Sequence, residues 1–234
     1  SNSEAEIRFT FSLPGLKGET AATYESLYRV LGDGSVSVKN TFSPGMEKLP
    51  EIPRMGMQMQ LKREFENLAY FGRGPLENYW DRKSGSLVGL YNSKVKDQYF
   101  PYVRPQENGN KSDVRWASLT NNEGAGILVI GDQLLNITAH HNIMEDFESP
   151  VRTIGHIYNG KEVINRHVCD VKERNLTAFN IDYLMMGVGG DDSWGARTHP
   201  EYTIPANKNY DYSFRIVPIR KNDDISKIAR QKNK

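Results

Sequence analysis

Apolar and polar residues alternate with a period of two over most of this chain, the repeat of a strand whose successive side chains face opposite sides of a sheet. Ile7, Phe9, Phe11 and Leu13 alternate with Arg8, Thr10 and Ser12, which predicts a strand that buries one face and wets the other. Tyr24 to Leu31, the triplet Gly32-Asp33-Gly34, and Val36, Val38 and Phe42 set against Ser35, Ser37 and Lys39 predict a hairpin, because Asp-Gly accepts the positive φ of a tight turn. Met55, Met57, Met59 and Leu61 alternate with Gly56, Gln58 and Gln60. With no Cys or His beside them, these methionines read as core rather than as soft-metal ligands. Ile127 to Ile130 is a continuous apolar run, while Leu135 to Thr138 and Phe179 to Tyr183 alternate. Tyr210, Tyr212, Phe214 and Ile216 oppose Asp211, Ser213 and Arg215 in a last strand.

Helix signals are few. Gly74-Pro75 before Leu76-Glu77-Asn78-Tyr79 predicts a short helical turn with proline at its first position. Asp223-Asp224 predicts a cap for a polar tail. No repeat recurs at a fixed period and no low-complexity linker interrupts the pattern. The economical assignment is all-β: one large antiparallel β-sandwich over residues 1–222 and a polar C-terminal tail over 223–234.

Length and charge narrow the function classes. A chain of 234 residues buries a sizeable core as one large or two small domains. Thirty Lys and Arg against twenty-nine Asp and Glu give a formal charge of +1, which argues against nucleic acid and membrane as partners. No apolar run approaches the ~20 residues that span a bilayer, so a soluble protein is expected. Cys169 is the only cysteine; it forms no internal disulfide and is expected to be a small buried hydrophobe rather than a nucleophile. His140 and His141 should project to opposite sides of a strand, unable to chelate one metal, with one satisfied and the other solvated. His156, His167 and His199 form no ligand spacing, so no metal site and no cofactor are expected in this chain. Ser1-Asn2-Ser3 reads as an expression remnant joined to a fragment that starts mid-protein.

The sharpest segment is Met186-Gly187-Val188-Gly189-Gly190-Asp191-Asp192-Ser193-Trp194-Gly195. Its glycines allow close backbone approaches and set Trp194 just past two acids on a loop. The residues alone leave two readings, a turn with a core indole or an indole offered to a ligand. This segment resembles the Gly-Gly-Asp-Asp-Ser-Trp segment of beta-galactosidases of glycoside hydrolase family two, in their C-terminal, small-chain or fifth, domain. Pro53-Arg54-Met55-Gly56, the stretch Gly72-Arg73-Gly74-Pro75-Leu76-Glu77-Asn78-Tyr79-Trp80-Asp81-Arg82, Tyr99 to Gly109 with its Pro101-Tyr102 and Glu107-Asn108-Gly109, and Phe179-Asn180-Ile181-Asp182 resemble further segments of that domain in the same order.

The resemblance implies a supersandwich similar to galactose mutarotases. It implies that Trp194 lines the galactoside pocket, and that both catalytic glutamates lie in a preceding barrel domain, so this chain holds no catalytic residue. Hydrolysis of a glycosidic bond uses two carboxyl groups about 5–9.5 Å apart, and the family is a retaining one. The implied partners are the preceding domains of the same polypeptide, including the barrel, and a terminal beta-D-galactoside. The parent is expected to be a homo-oligomer of cytoplasmic or periplasmic location, with cofactors undefined. Two other classes stay open. One is a stand-alone aldose 1-epimerase using His140 or His141 with Glu107 as acid and base. The other is a free carbohydrate-binding module with Trp80, Trp116 and Trp194 as platforms. Glu77, Asp81 and Arg82 are expected to stabilise a turn and Asp191 and Asp192 to shape their loop. Arg104 and Glu107 either form an ion pair or face a sugar together.

Overall fold

The computed structural model describes residues 4–15, 19–46, 48–147, 157–158, 161–162, 167–192 and 194–231. Twelve strands follow one another: β1 (Glu4–Pro14), β2 (Thr20–Leu31), β3 (Val36–Pro44), β4 (Arg54–Lys62), β5 (Asn67–Gly74), β6 (Leu87–Lys94), β7 (Lys111–Thr120), β8 (Gly126–His140), β9 (Ile157–Tyr158), β10 (Lys161–Glu162), β11 (Leu176–Met185) and β12 (Tyr210–Ile219), then a short helix α1 (Ile225–Ala229). Every pairing is antiparallel.

The architecture turns on β8, which is long enough to serve two layers. Its first half pairs with β12 from Gly126 to Gly131 and its second half with β11 from Asn136 to His140. One layer then runs β1-β2-β3-β12 and the other β4-β11-β8-β7-β5-β6. Polar ties cross between the layers: the Tyr24 hydroxyl donates to the Gly56 carbonyl at 3.2 Å and the Tyr212 hydroxyl to the Ile181 carbonyl at 3.2 Å. Val38, Phe42, Tyr212 and Phe214 from the first layer and Met55, Leu68, Leu119, Phe179 and Ile181 from the second share one core. The chain is therefore the antiparallel β-sandwich that its alternation predicts. Gly34 turns the β2–β3 hairpin at φ +84°, a value that only glycine adopts without strain.

Three local expectations are corrected. β1 buries neither face: Ile7, Phe9, Phe11 and Leu13 are 46%, 49%, 51% and 40% exposed. Phe9 meets the Tyr28 ring edge-on and Phe11 meets Tyr24 at a tilt, and the stripe stays exposed because a strand at the sheet's end has no second layer over it among the described residues. No helix forms at Leu76–Tyr79. The backbone groups there bond across the chain instead, Asn78 N–H to the Asn110 carbonyl at 2.8 Å and Ser112 N–H to the Asn78 side chain at 2.9 Å. Cys169 is exposed, since its segment is a single 3₁₀ turn held by Asp170 accepting from His167 N–H at 2.8 Å. The tail is not uniformly polar. Asp224 caps α1 by accepting from Lys227 N–H, and Ile225, Ile228 and Ala229 lie on Leu128, Ile130 and Ile219. No helix among the described residues is long and apolar enough to cross a membrane.

Candidate functional site

The segments quoted above, far apart in sequence, converge on one buried ionic cluster. β4 and β11 pair with Gly56 opposite Asp182 and Arg54 opposite Met185. A Cβ on Gly56 would lie 1.8 Å from Asp182 Oδ1, so glycine is required for the carboxyl to fit between the strands. Arg54 is the bridge. Its Nε sits 2.9 Å from Asp182 Oδ2 and its Nη2 donates to Glu107 Oε1 at 3.1 Å and to Thr138 Oγ1 at 3.2 Å. The buried Tyr79 hydroxyl also donates to Glu107 Oε1, at 3.4 Å. Beside it, Glu77 accepts from Gly109 N–H at 2.7 Å, from Arg82 at 2.6 Å and from the Tyr102 hydroxyl.

Burial sets the protonation of this cluster. Asp182 is fully buried, and loss of hydration raises its carboxyl to about 7 against the pull of Arg54, with Glu107 adding to the rise. Burial pushes Glu107 up as well, again against Arg54. The Arg54 guanidinium stays charged because its two carboxyl partners outweigh its own desolvation. Burial pushes His140 down to about 4 and Lys111 down to about 8. Glu77 is held below the usual carboxylate range by its three donors, although burial opposes them. The cluster thus pins β4, β11 and the loops at residues 77–82 and 104–110 together. Each of its carboxyl groups faces an internal cation or hydroxyl, while Glu107 Oε2 and Asp182 Oδ1 are buried without a hydrogen-bond partner among the described residues.

Above it lies the tryptophan loop. Gly187 N–H donates to the Tyr202 carbonyl at 2.9 Å, and Thr198 returns a bond to the Gly187 carbonyl at 2.9 Å. Gly189 N–H donates to Asp81 Oδ2 at 2.7 Å, which ties the loop to the cluster through Arg82 next in sequence. Asp192 Oδ1 accepts from Trp194 N–H at 2.7 Å and Ala196 N–H at 3.2 Å, side-chain bonds that hold the backbone at Trp194 and at Ala196. Asp191 accepts from His199 at 2.8 Å, and that contact raises the pKa of the histidine. The Trp194 side chain itself is 95% exposed. Of the two readings the residues left open, the core indole is excluded.

The profile of the family described as beta galactosidase small chain matches residues 2–216. The chain belongs to that family. Among curated relatives, the beta-galactosidase of Priestia megaterium is 38% identical over 192 residues, covering 82% of this chain and 17% of the relative. That of Lactobacillus delbrueckii subsp. bulgaricus is 35% identical over 214 residues, covering 91% and 19%. The chain thus spans under a fifth of the length of these relatives. A solved galactose mutarotase related enzyme from Lactobacillus acidophilus aligns over 93% of this chain and 69% of its own, with 10% identity and a TM-score of 0.45.

The quoted segments come together in three dimensions. Arg54, Glu77, Tyr79, Arg82, Glu107 and Asp182 meet in the cluster, and Gly187 to Asp192, with Trp194, belong to the loop above it. The expected turn at Glu77, Asp81 and Arg82 is present, with Arg82 also over the Tyr79 ring at 4.9 Å. Glu107 takes Arg54, not Arg104, as its ionic partner, because β4 carries Arg54 under the loop. His140 and His141 are both buried. His140 donates to the Asn108 carbonyl at 2.9 Å and His141 to the Leu176 carbonyl at 2.8 Å, so neither is solvated. The end of β8 is covered on both faces, which alternation alone does not reveal. His156 lies outside the described residues. The sequence alone assigned no role to Asp182; the signal was the lone charged residue of β11. No group of three His, Cys, Asp or Glu among the described residues could hold a metal.

Proposed function

We propose that this chain is the C-terminal part of a beta-galactosidase that hydrolyses terminal beta-D-galactosides. It supplies no catalytic carboxylate and presents Trp194 as one wall of a galactoside pocket built by another part of the polypeptide. The sandwich through residue 222 acts as one unit, with the tail laid on it. The observation that carries the reading is the exposed indole on an anchored loop. An indole offers well over ~150 Å² of apolar surface, and the loop's bonds fix its backbone while leaving that surface uncovered. One face of galactose is largely C–H, and stacking on it is worth about 1–3 kcal/mol by analogy with aromatic packing generally.

In this reading the chemistry belongs elsewhere. Retention uses two carboxyl groups about 5–5.5 Å apart, one as nucleophile and one as acid and then base. The acids of the present cluster are held by Arg54, Tyr79, Arg82 and Tyr102. The exposed stripe of β1, with the neighbouring apolar groove of about 840 Å³ beside Phe11, Leu13, Met46 and Ile52, suits cover by other parts of so much longer a polypeptide. The test is Trp194→Ala in the complete enzyme. KM for a galactoside should rise about tenfold or more, as ~1.4 kcal/mol of lost stacking requires, with kcat reduced less. Unchanged kinetics would refute the role.

A further inference from the structure

A second feature lies below the root of the tryptophan loop. Met185, the last residue of β11, lines a cavity of about 340 Å³ that opens between β7, β8 and β11. Trp80 and Tyr183 form aromatic walls, and Lys83, Asp113, Gln133 and Asn136 supply polar ones. We infer that this cavity is a saccharide site, taking one neutral pyranose ring and distinct from the surface offered by Trp194.

The size is at the low end of the ~300–1,000 Å³ of small-molecule sites, which suits a single ring. The walls have the two chemistries a sugar needs: flat apolar surface for its C–H face, and fixed donors and acceptors for its hydroxyls. The amides are oriented before any ligand arrives. Asn136 donates to the Tyr183 carbonyl at 3.2 Å and accepts from Asn110 at 3.3 Å. Gln133 donates to the Ser213 carbonyl at 3.2 Å. Of the lining residues, Lys83 and Asp113 carry one charge of each sign and are paired at 2.8 Å, with Arg73 behind Asp113 outside the lining, so the wall itself presents balanced charge and favours an uncharged ligand. Trp80 meets Tyr202 edge-on at 6.2 Å, which fixes the ring yet leaves it half-buried.

The backbone is bent to make this wall. The β7–β8 register breaks on both sides of Val114, and Asp113 sits at φ +53°. A bulge re-aims a side chain, and a left-handed non-glycine residue stores strain of order 1 kcal/mol or more. The beneficiary here is Asp113, turned to the cavity between its two cations.

The inference is tested on the 234-residue chain by following its three tryptophan indole N–H signals by ¹⁵N NMR during titration with methyl beta-D-galactopyranoside. The expected result is a saturable shift of the Trp80 signal that persists in Trp194→Ala. Leu134→Arg, at the cavity's exposed rim, should weaken that binding by about tenfold or more with an unchanged melting temperature. A Trp80 signal that does not move, or one that moves equally in Leu134→Arg, overturns the inference. A shift lost with Trp194→Ala also overturns it and leaves the galactosidase reading standing, since that would place the sugar on the loop.

Discussion

Replacing Asp182 by Asn tests whether burial governs the charge of the cluster. The carboxyl is fully buried, 2.9 Å from Arg54 Nε, and its pKa is raised to about 7 by desolvation, with Arg54 opposing and Glu107 adding. In the unfolded chain an aspartate titrates near ~3.9. The folded state therefore holds the proton more tightly. The stability this gives is fully present below about pH 4 and is lost as pH rises toward about 7, where it levels off. At about 1.36 kcal/mol per pH unit, less the half-titration of the folded state, the loss between about pH 5 and about pH 7 is on the order of 2 kcal/mol. Asparagine has the shape of the neutral acid and cannot ionise. The difference in unfolding free energy, Asp182→Asn minus parent, should thus grow by about 2 kcal/mol over that interval and stay flat at higher pH. His140 slopes the other way: pushed down to about 4, it adds stability that is lost as pH falls from ~6.5 toward 4. It is present in both proteins and cancels in the difference. Urea unfolding of both proteins, followed by tryptophan fluorescence across this range, measures it. A difference that does not change with pH refutes the reasoning.

Gly56→Ala should be destabilised by about 3 kcal/mol or fail to fold, because the new Cβ meets Asp182 Oδ1 at 1.8 Å and its Cα at 2.6 Å. Gly85→Ala, with nothing within 4 Å, should melt close to the parent; similar melting of both variants would contradict the close packing of β4 on β11. The exposed Cys169 should react fully with iodoacetamide in the folded chain, and labelling only after denaturation would show it covered. Added to freshly dissolved α-galactose in a polarimeter, the chain should leave mutarotation at its spontaneous rate, because His140, His141 and Glu107 are buried on internal partners. Acceleration in proportion to chain concentration would instead revive the epimerase.

The parts of this fold legible in the sequence are those set by neighbours in the chain. The β2–β3 hairpin could be read because alternation and Gly34 are local facts, and the same holds for β12 and for the methionine face of β4. What alternation cannot say is whether a second surface covers a given face. Ile7 to Leu13 has the pattern of a half-buried strand but lies at the open end of the sheet, whereas His140 and His141, of which alternation leaves one solvated, are both buried. Partners set by register were also hidden. Nothing near Arg54 in sequence announces Asp182, which stands opposite Gly56 only because β4 and β11 pair in that register. The loop was legible as a loop, and its acids acted as the turn-forming acceptors expected of them. Whether its indole faced in or out required the structure.

The distribution of order across the site bears on its use. The costly features, a glycine pressed against a carboxyl and charges held out of water, all lie at the root. Asp81 carries that order to Gly189, and Asp192 carries it to the backbone of Trp194. Among the described residues the loop is exposed from Val188 onward, and its indole is the most exposed large apolar side chain, at 95%. A side chain that served stability would be buried, and one with no role would not need a fixed backbone. A fixed backbone under a free aromatic surface reduces the conformational entropy lost when that surface is covered. This arrangement favours a loop that is finished by a ligand or by another part of the polypeptide, and on the proposed role of Trp194 it makes the root residues, Asp81 above all, the ones whose loss should weaken that role without touching the indole.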